Sequence, residues 1–336
     1  MNPRTRTTVI LLFIAWCIDY IDRSVISVAL PAIGRDLDLD HGQLGLAVSV
    51  FFIAYAAVQI PGGLLADRFG AMRIAVVGLL AWSLFTGLTA AAASFGTLIL
   101  IRVLFGLSQG IFPAAGMKLL AERSTPQDRM TANGWVNSSN AVGGVLAMIL
   151  AAVLIPLIGW RGLFVAVSVL GLVVTFSFVT KMPAPLQEVD LAPNPSNGGT
   201  ALLKVPTMWL YVLAFFGYDV LIWGTNSWFA SYLQEERGLS ASSAALLGLP
   251  AGLTAAIVIV LSGRVSDRIG GRIRPLVIPG MTIAGILIIL LPHVSNLVVY
   301  VLLSMVAVGC SSPAYIGAFS IPLKQLNPAL PESDRA

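Results

Sequence analysis

The chain has 336 residues, of which 57% are hydrophobic and only 11% charged, with a formal net charge of +4. A soluble domain carries about 25% charged residues, so this composition excludes a water-soluble globule and a disordered chain alike. Two cysteines exclude a disulfide scaffold, and the positive charge lacks the basic run and interleaved aromatics of a nucleic-acid binder. What is left is an all-α integral protein of the lipid bilayer, at about 20 apolar residues per crossing.

Apolar stretches of spanning length fall at 9–31, 43–65, 73–94, 97–119, 131–157, 161–181, 207–233, 241–263, 274–292 and 296–321. They are spans 1 to 10 in chain order. Span 1 is long and lacks a small-residue cleavage site, so it reads as a crossing rather than a signal peptide. Spans 3 and 4 are parted only by Ala93, Ser94, Phe95 and Gly96, so length alone divides them. Residues 183–206 hold Pro183, Pro185, Pro193, Pro195, Gly198 and Gly199, a linker between two bundles. The expected domains are 1–182, a six-helix bundle; 183–206, a cytoplasmic linker; 207–321, four helices; and 322–336, a polar tail.

Of the 20 lysines and arginines, Arg23 and Arg102 lie within spans and only Arg35, Arg161 and Arg237 fall on the side opposite the N-terminus. All others share the N-terminal side. The positive-inside bias places that side in the cytoplasm, and ten spans then bring both termini there. Trp160, Trp209 and Trp228 lie near span ends and suit an interfacial aromatic belt.

The loop after span 2 contains Gly63, Asp67, Arg68 and Gly70, followed by Arg73; the loop after span 8 contains Gly263, Asp267, Arg268 and Gly270, followed by Arg272. Both read G-x-x-x-D-R-x-G, and the second copy lies 200 residues after the first. Two copies on one side of the membrane predict two parallel six-helix repeats. By the same offset Ala336 corresponds to Val136, at the start of span 5. The second repeat is therefore expected to stop at four helices, for ten crossings in all.

A charge at the middle of a span costs roughly 2.5–3.5 kcal/mol on insertion scales, so such residues usually face a cavity and carry function. Span 1 places Trp16, Asp19, Tyr20, Arg23 and Ser27 on one face, with Asp22 to its side. Either Arg23 binds an anion while a neighbouring carboxylate takes a proton, or an Asp–Arg pair merely orients the helix. Span 4 aligns Arg102, Gly106, Gln109 and Pro113. The planar fork of Arg102 suits a carboxylate, and a structural link to another helix is the other reading. Gln109 suits a substrate hydroxyl. Span 2 offers Tyr55 and Gln59 one turn apart. Span 5 offers Asn133, Asn137, Asn140 and Gly144 in a stripe, for a substrate or for helix packing. On span 7, Asp219 shares a side with Trp223 and Asn226, either as a protonatable group or as a packing residue. His41 and His293 have no metal-ligand neighbour, and no nucleophile–His pair, metal cluster or phosphate loop suggests an enzyme or a cofactor.

Taken with Arg102-x-x-x-Gly106-x-x-Gln109-Gly110, Tyr20-Ile-Asp22-Arg23, Ala29-Leu30-Pro31 and Gly159-Trp160-Arg161, the repeated loop resembles the major facilitator superfamily over the whole chain. The motifs look most like its anion:cation symporter branch. That resemblance implies a monomer of the bacterial inner membrane that imports a small organic anion with protons by alternating access. It implies an anion-binding role at Arg23, a proton role at Asp22, and substrate-lining positions at Tyr55 and Asn140. The substrate set on this reading is Tyr20, Arg23, Tyr55, Arg102, Gln109, Asn137 and Asn140, with Asp22, Asp19 and Asp219 for protons. The branch usually has glutamate at the position of Gln109, and glutamine cannot carry a proton. In the family the residue matching Asp67 meets helix 11, so here Asp67 is expected to lack that partner, while Asp267 is expected to face span 5. Gly63 is expected to permit close helix approach. An exporter of the same superfamily is the competing reading, weakened because Asn140-Ala-Val-Gly143-Gly144 lacks the proline of the exporter motif. A non-transporting remnant is the third.

Overall fold

The computed structural model describes residues 1–125, 128–186, 206–269 and 274–314. Among them every regular element is helical. The helices are α1 (Pro3–Leu37), α2 (His41–Phe69), α3 (Ala71–Thr89), α4 (Phe95–Gly110), α5 (Phe112–Arg123), α6 (Arg129–Lys181), α7 (Pro206–Glu235), α8 (Ala241–Arg268), α9 (Arg274–Leu290) and α10 (Leu297–Ser311). Six described stretches are long and apolar enough to cross a membrane: His41–Phe69, Ala71–Thr89, Phe95–Arg123, Thr131–Lys181, Ala241–Ile259 and Pro275–His293. α1 is longer than most of these, but Asp19, Asp22 and Arg23 interrupt its apolar character.

Local chemistry sets the boundaries. Asn2 caps α1 by accepting from the Arg4 amide, with Pro3 in the first turn. Asp40 and Gln43 form a capping box at the start of α2. Ser94 and Thr97 form another, which starts α4. Gly70 joins α2 to α3 at φ 91°, a backbone that favours glycine.

One span differs in continuity from its expected form. Span 4 divides at Ile111 into α4 and α5, because Pro113 has no N–H and its ring crowds the carbonyl of Gln109. Spans 5 and 6, grouped here under the label α6, are two helices parted at Gly159, whose backbone (φ 71°, ψ 176°) is not helical.

The chain divides into two compact units, Met1–Ala192 with Ala230–Leu246, and Pro193–Phe229 with Leu247–Ala336. In the first, α1 packs along α6, α2 along α4, and α3 against both α4 and α6. Membrane helices associate by close packing rather than by exclusion of water, so small residues mark the crossings. A Cβ on Gly106 would lie 2.5 Å from the Phe51 carbonyl oxygen, and one on Gly110 2.5 Å from that of Tyr55. Gly143 of α6 is held against Cys17 and Tyr20 in the same way, at 2.8 Å. Also in this unit, Gln234 donates to the Val28 carbonyl over 3.1 Å, and His41 Nε2 lies 2.6 Å from Glu235 Oε2.

In the second unit α9 packs on α10, with Gly280 against the Cys310 carbonyl. The predicted linker lies largely outside the described residues, as do the end of span 10 and the tail.

Candidate functional site

The glycine contacts carry the site. Because Gly106 and Gly110 have no side chain, the backbone of α2 lies against α4 and delivers Phe51 and Tyr55 to Arg23 of α1. The Arg23 guanidinium carbon lies 4.3 Å from the Tyr55 ring centroid, 5.5 Å from that of Tyr20 and 5.9 Å from that of Phe51. A guanidinium over aromatic faces keeps favourable electrostatics where water is scarce.

Polar groups also surround it. Arg23 Nε donates to Gln109 Oε1 at 2.9 Å, and Arg23 Nη2 pairs with Asp19 Oδ2 at 2.9 Å and Oδ1 at 3.2 Å. Gln109 Nε2 donates in turn to the Asp19 carbonyl at 3.4 Å. Asp19 and Gln109 are both fully buried. The sequence places Asp19 and Arg23 on one face with Asp22 to its side, and the ion pair joins Arg23 to Asp19, one helical turn away.

Asp22 turns to a second cluster on the other flank of α1. It is 2% exposed and accepts from the Thr86 hydroxyl at 3.0 Å. Arg102 is 3% exposed, donates weakly to the Thr89 hydroxyl at 3.4 Å, and has its guanidinium carbon 5.3 Å from the Phe105 ring and 5.4 Å from that of Phe164. Asp22 and Arg102 interact electrostatically. Asp22 Oδ2 and Arg102 Nε are buried without a hydrogen-bond partner among the described residues, an arrangement costing about 1–3 kcal/mol per group. Arg102 and Gln109, expected on one face, therefore serve different clusters. The four buried charges Asp19, Asp22, Arg23 and Arg102 sum to zero.

The other predicted residues are less gathered. Tyr20 is half-buried and stacks on Trp16, with centroids 6.2 Å apart. Asn137 and Asn140 are exposed on α6, and Asn137 donates to the side chain and carbonyl of Asn133, each at 2.9 Å. Asp219 is half-buried on α7, in the second unit.

In the loop after α2, Asp67 has a partner within its own unit: Lys118 Nζ of α5 lies 2.7 Å from its Oδ1. Gly63 is not the close-approach residue, since a Cβ there would meet Ala114 at an ordinary 3.6 Å; the neighbouring Gly62 is, with the Ile111 Cα 2.8 Å from its virtual Cβ. Arg68 lies against Phe69, and Arg73 is exposed. Gly263 and Asp267 lie on α8 and Arg268 ends it, while Gly270 and Arg272 fall outside the described residues. Trp160 is not an exposed belt residue. It is buried, and its indole donates to Asp36 Oδ2 at 3.1 Å.

Sequence reading missed Thr86, Thr89, Phe51 and Lys118. A hydroxyl in an apolar helix commonly bonds its own backbone, as Thr86 also does to Trp82 over 3.0 Å, so nothing local singles these threonines out.

Residues 12–329 match the family described as Major Facilitator Superfamily. The chain is 34% identical over 268 residues to the hexuronate transporter of Bacillus subtilis (strain 168), covering 77% of this chain and 64% of that one. It is 27% identical over 327 residues to a probable L-galactonate transporter of Escherichia coli (strain K12), covering 90% and 72%. The chain thus spans about two thirds of the length of these relatives. Its fold matches a crystal structure of a bacterial homologue of the human lysosomal transporter Spinster, with TM-score 0.87, 23% identity, and coverage of 98% of this chain and 76% of that one.

Proposed function

The chain belongs to the Major Facilitator Superfamily, and on that premise we propose that it imports a small organic anion, a sugar acid or aromatic carboxylate, together with protons. The observation that carries the reading is Arg23, a buried cation whose planar fork is held by a carboxylate and an amide and faced by aromatic rings. Such a fork binds carboxylates in preference to neutral solutes. Tyr20, Tyr55 and Gln109 surround it and suit the hydroxyls and ring of a sugar acid. The names of the hexuronate and galactonate relatives support the same class.

On this reading Asp19, Asp22 and Asp219 are the carboxylates available for protons, and Arg102 balances Asp22. Asn137 and Asn140 extend the substrate path. The paired loops support rocking of two bundles around the site. Ten crossings across residues 9–321, both ends of the described chain in the cytoplasm, a bacterial inner membrane and a monomeric state belong to the same proposal. A proton moving down 100 mV releases about 2.3 kcal/mol, enough to offset the cost of bringing in one anion against the potential.

Proteoliposomes containing the chain, with an imposed pH gradient, test this. D-galacturonate or L-galactonate should accumulate, and Arg23→Gln should abolish accumulation. Failure to bind or move any organic acid, at any pH, sinks the reading.

A further inference from the structure

We propose that Asp19 is the exchangeable counter-anion of the site, holding Arg23 until an organic anion takes its place and accepting a proton as it lets go. The inference rests on the anion-import reading and names the carboxylate that couples it to protons.

The geometry singles out Asp19. Its oxygens lie 2.9 and 3.2 Å from one nitrogen, Arg23 Nη2, so the carboxylate meets a single nitrogen rather than two of the fork. Nε is held by Gln109. A substrate carboxylate that grips the fork with two oxygens must take Nη2, and so must displace Asp19. Asp19 is fully buried and tethered to the same helix, so it cannot follow the charge into water.

Charge balance then sets the chemistry. Asp19 and Arg23 are neutral together. Adding an anion leaves one negative charge in a dry interior, which is costly unless it is paired or neutralised. In the balanced step, a proton from solvent bonds to an Asp19 carboxylate oxygen, the Asp19–Arg23 ion pair opens, and an ion pair between Arg23 and the anion forms. No bond of the substrate changes, and the net charge of the site is the same before and after.

The other titratable and charged groups near this pair are Asp22 on α1, Tyr20 on α1, Tyr55 on α2 and Arg102 on α4. Asp22 is engaged by Thr86 and shares the field of Arg102, so releasing Arg23 to a substrate leaves its hydrogen bond intact. Gln109 touches Arg23 but has no proton to gain. Among the described residues, Asp19 is thus the carboxylate in hydrogen-bond contact with Arg23.

The test measures proton uptake on binding D-galacturonate to the purified chain in weakly buffered solution, with affinity followed from pH 5 to 8. Wild type should take up about one proton per anion bound, with affinity falling as pH rises. Asp19→Asn should bind galacturonate at least as well, take up no proton and lose the pH dependence. Asp19→Asn combined with Gln109→Glu should regain proton uptake, because the carboxylate returns on the other side of Arg23. Asp19→Glu should keep the stoichiometry and move the pH midpoint. Proton uptake unchanged in Asp19→Asn, or a midpoint unmoved in Asp19→Glu, overturns the proposal. A wild-type chain that binds no sugar acid overturns the import reading itself, with the variants equally silent.

Discussion

Arg23 of α1 and Gln109 of α4 are joined by one hydrogen bond, Nε to Oε1 at 2.9 Å, between a half-buried cation and a fully buried amide. Gln109 also donates to the Asp19 carbonyl, so a single neutral side chain ties the cation to the backbone that carries its counter-ion. Gln109→Leu keeps most of the volume and removes both bonds. It should destabilise the chain by about 1–3 kcal/mol, since a buried donor of Arg23 loses its acceptor. Gln109→Glu should instead keep the fold and weaken anion binding, because a second carboxylate then competes for Arg23. Thermal unfolding and galacturonate affinity, measured on both variants, separate the two effects. Equal affinity for wild type and Gln109→Glu at pH 8 contradicts the competition.

Gly110 fixes where Tyr55 sits. A methyl group there would lie 2.5 Å from the Tyr55 carbonyl oxygen, closer than real contacts allow, so α2 and α4 must part. Gly110→Ala should cost about 1–3 kcal/mol as an overpacked contact, and should lower anion affinity as the Tyr55 ring moves off Arg23. Gly96, on the same helix, has nothing within 4 Å of its virtual Cβ. Gly96→Ala is the control and should change neither quantity. A Gly110→Ala protein as stable and as competent as that control removes the packing argument.

What sequence can and cannot say about this site follows from the range of each interaction. The spans are legible because apolar run length is a local property; their boundaries rest on caps such as Asp40–Gln43 and Ser94–Thr97, which run length alone does not reveal. The polar residues of α1 stand out because a charge is rare in an apolar helix. Their pairing is harder. Helical spacing puts Asp19 on the face of Arg23 and Asp22 to its side, but nothing local tells that Asp22 meets Thr86 of α3. The partnership of Asp67 with Lys118 joins residues of α2 and α5 that meet only once α2 lies along α4. The family motif explains the glycine and aspartate of that loop but says nothing of this lysine.

Arg161 illustrates how much of a visible ion pair is electrostatic. Its Nη2 lies 2.8 Å from Asp36 Oδ2, and its Nη1 donates to the carbonyls of Ala90 and Ala92 at 2.8 and 3.0 Å. The Asp36 and Arg161 side chains are 45% and 41% exposed, so their mutual attraction is screened and should be worth about 0–1 kcal/mol. The carbonyl contacts at the end of α3 should contribute more, since a cation there meets both hydrogen-bond acceptors and the negative end of the helix dipole. A double-mutant cycle between Asp36→Ala and Arg161→Ala should therefore give a small coupling, while Arg161→Ala alone costs more than Asp36→Ala. The reverse order of the two single variants defeats this account.

Asp128 gives the pH test with a definite sign. It lies before α6, outside the apolar spans, and accepts the Asn2 amide on Oδ2 at 2.9 Å. That backbone hydrogen bond is the largest reason its carboxyl is held below the ordinary carboxylate range. A carboxyl depressed by folding stabilises the folded chain above its unfolded value, about 3.9, and loses that contribution as pH falls through the lower folded value. Asp128→Asn still offers an oxygen to Asn2 but carries no charge, so it mimics the protonated form. Wild type should unfold at a higher temperature than Asp128→Asn at pH 6, and the gap should close as pH is lowered past the ordinary carboxylate range. The site is exposed, so the gap should also shrink with added salt. A gap of the same size at pH 6 and at pH 3 means the charge plays no part in holding the start of α1.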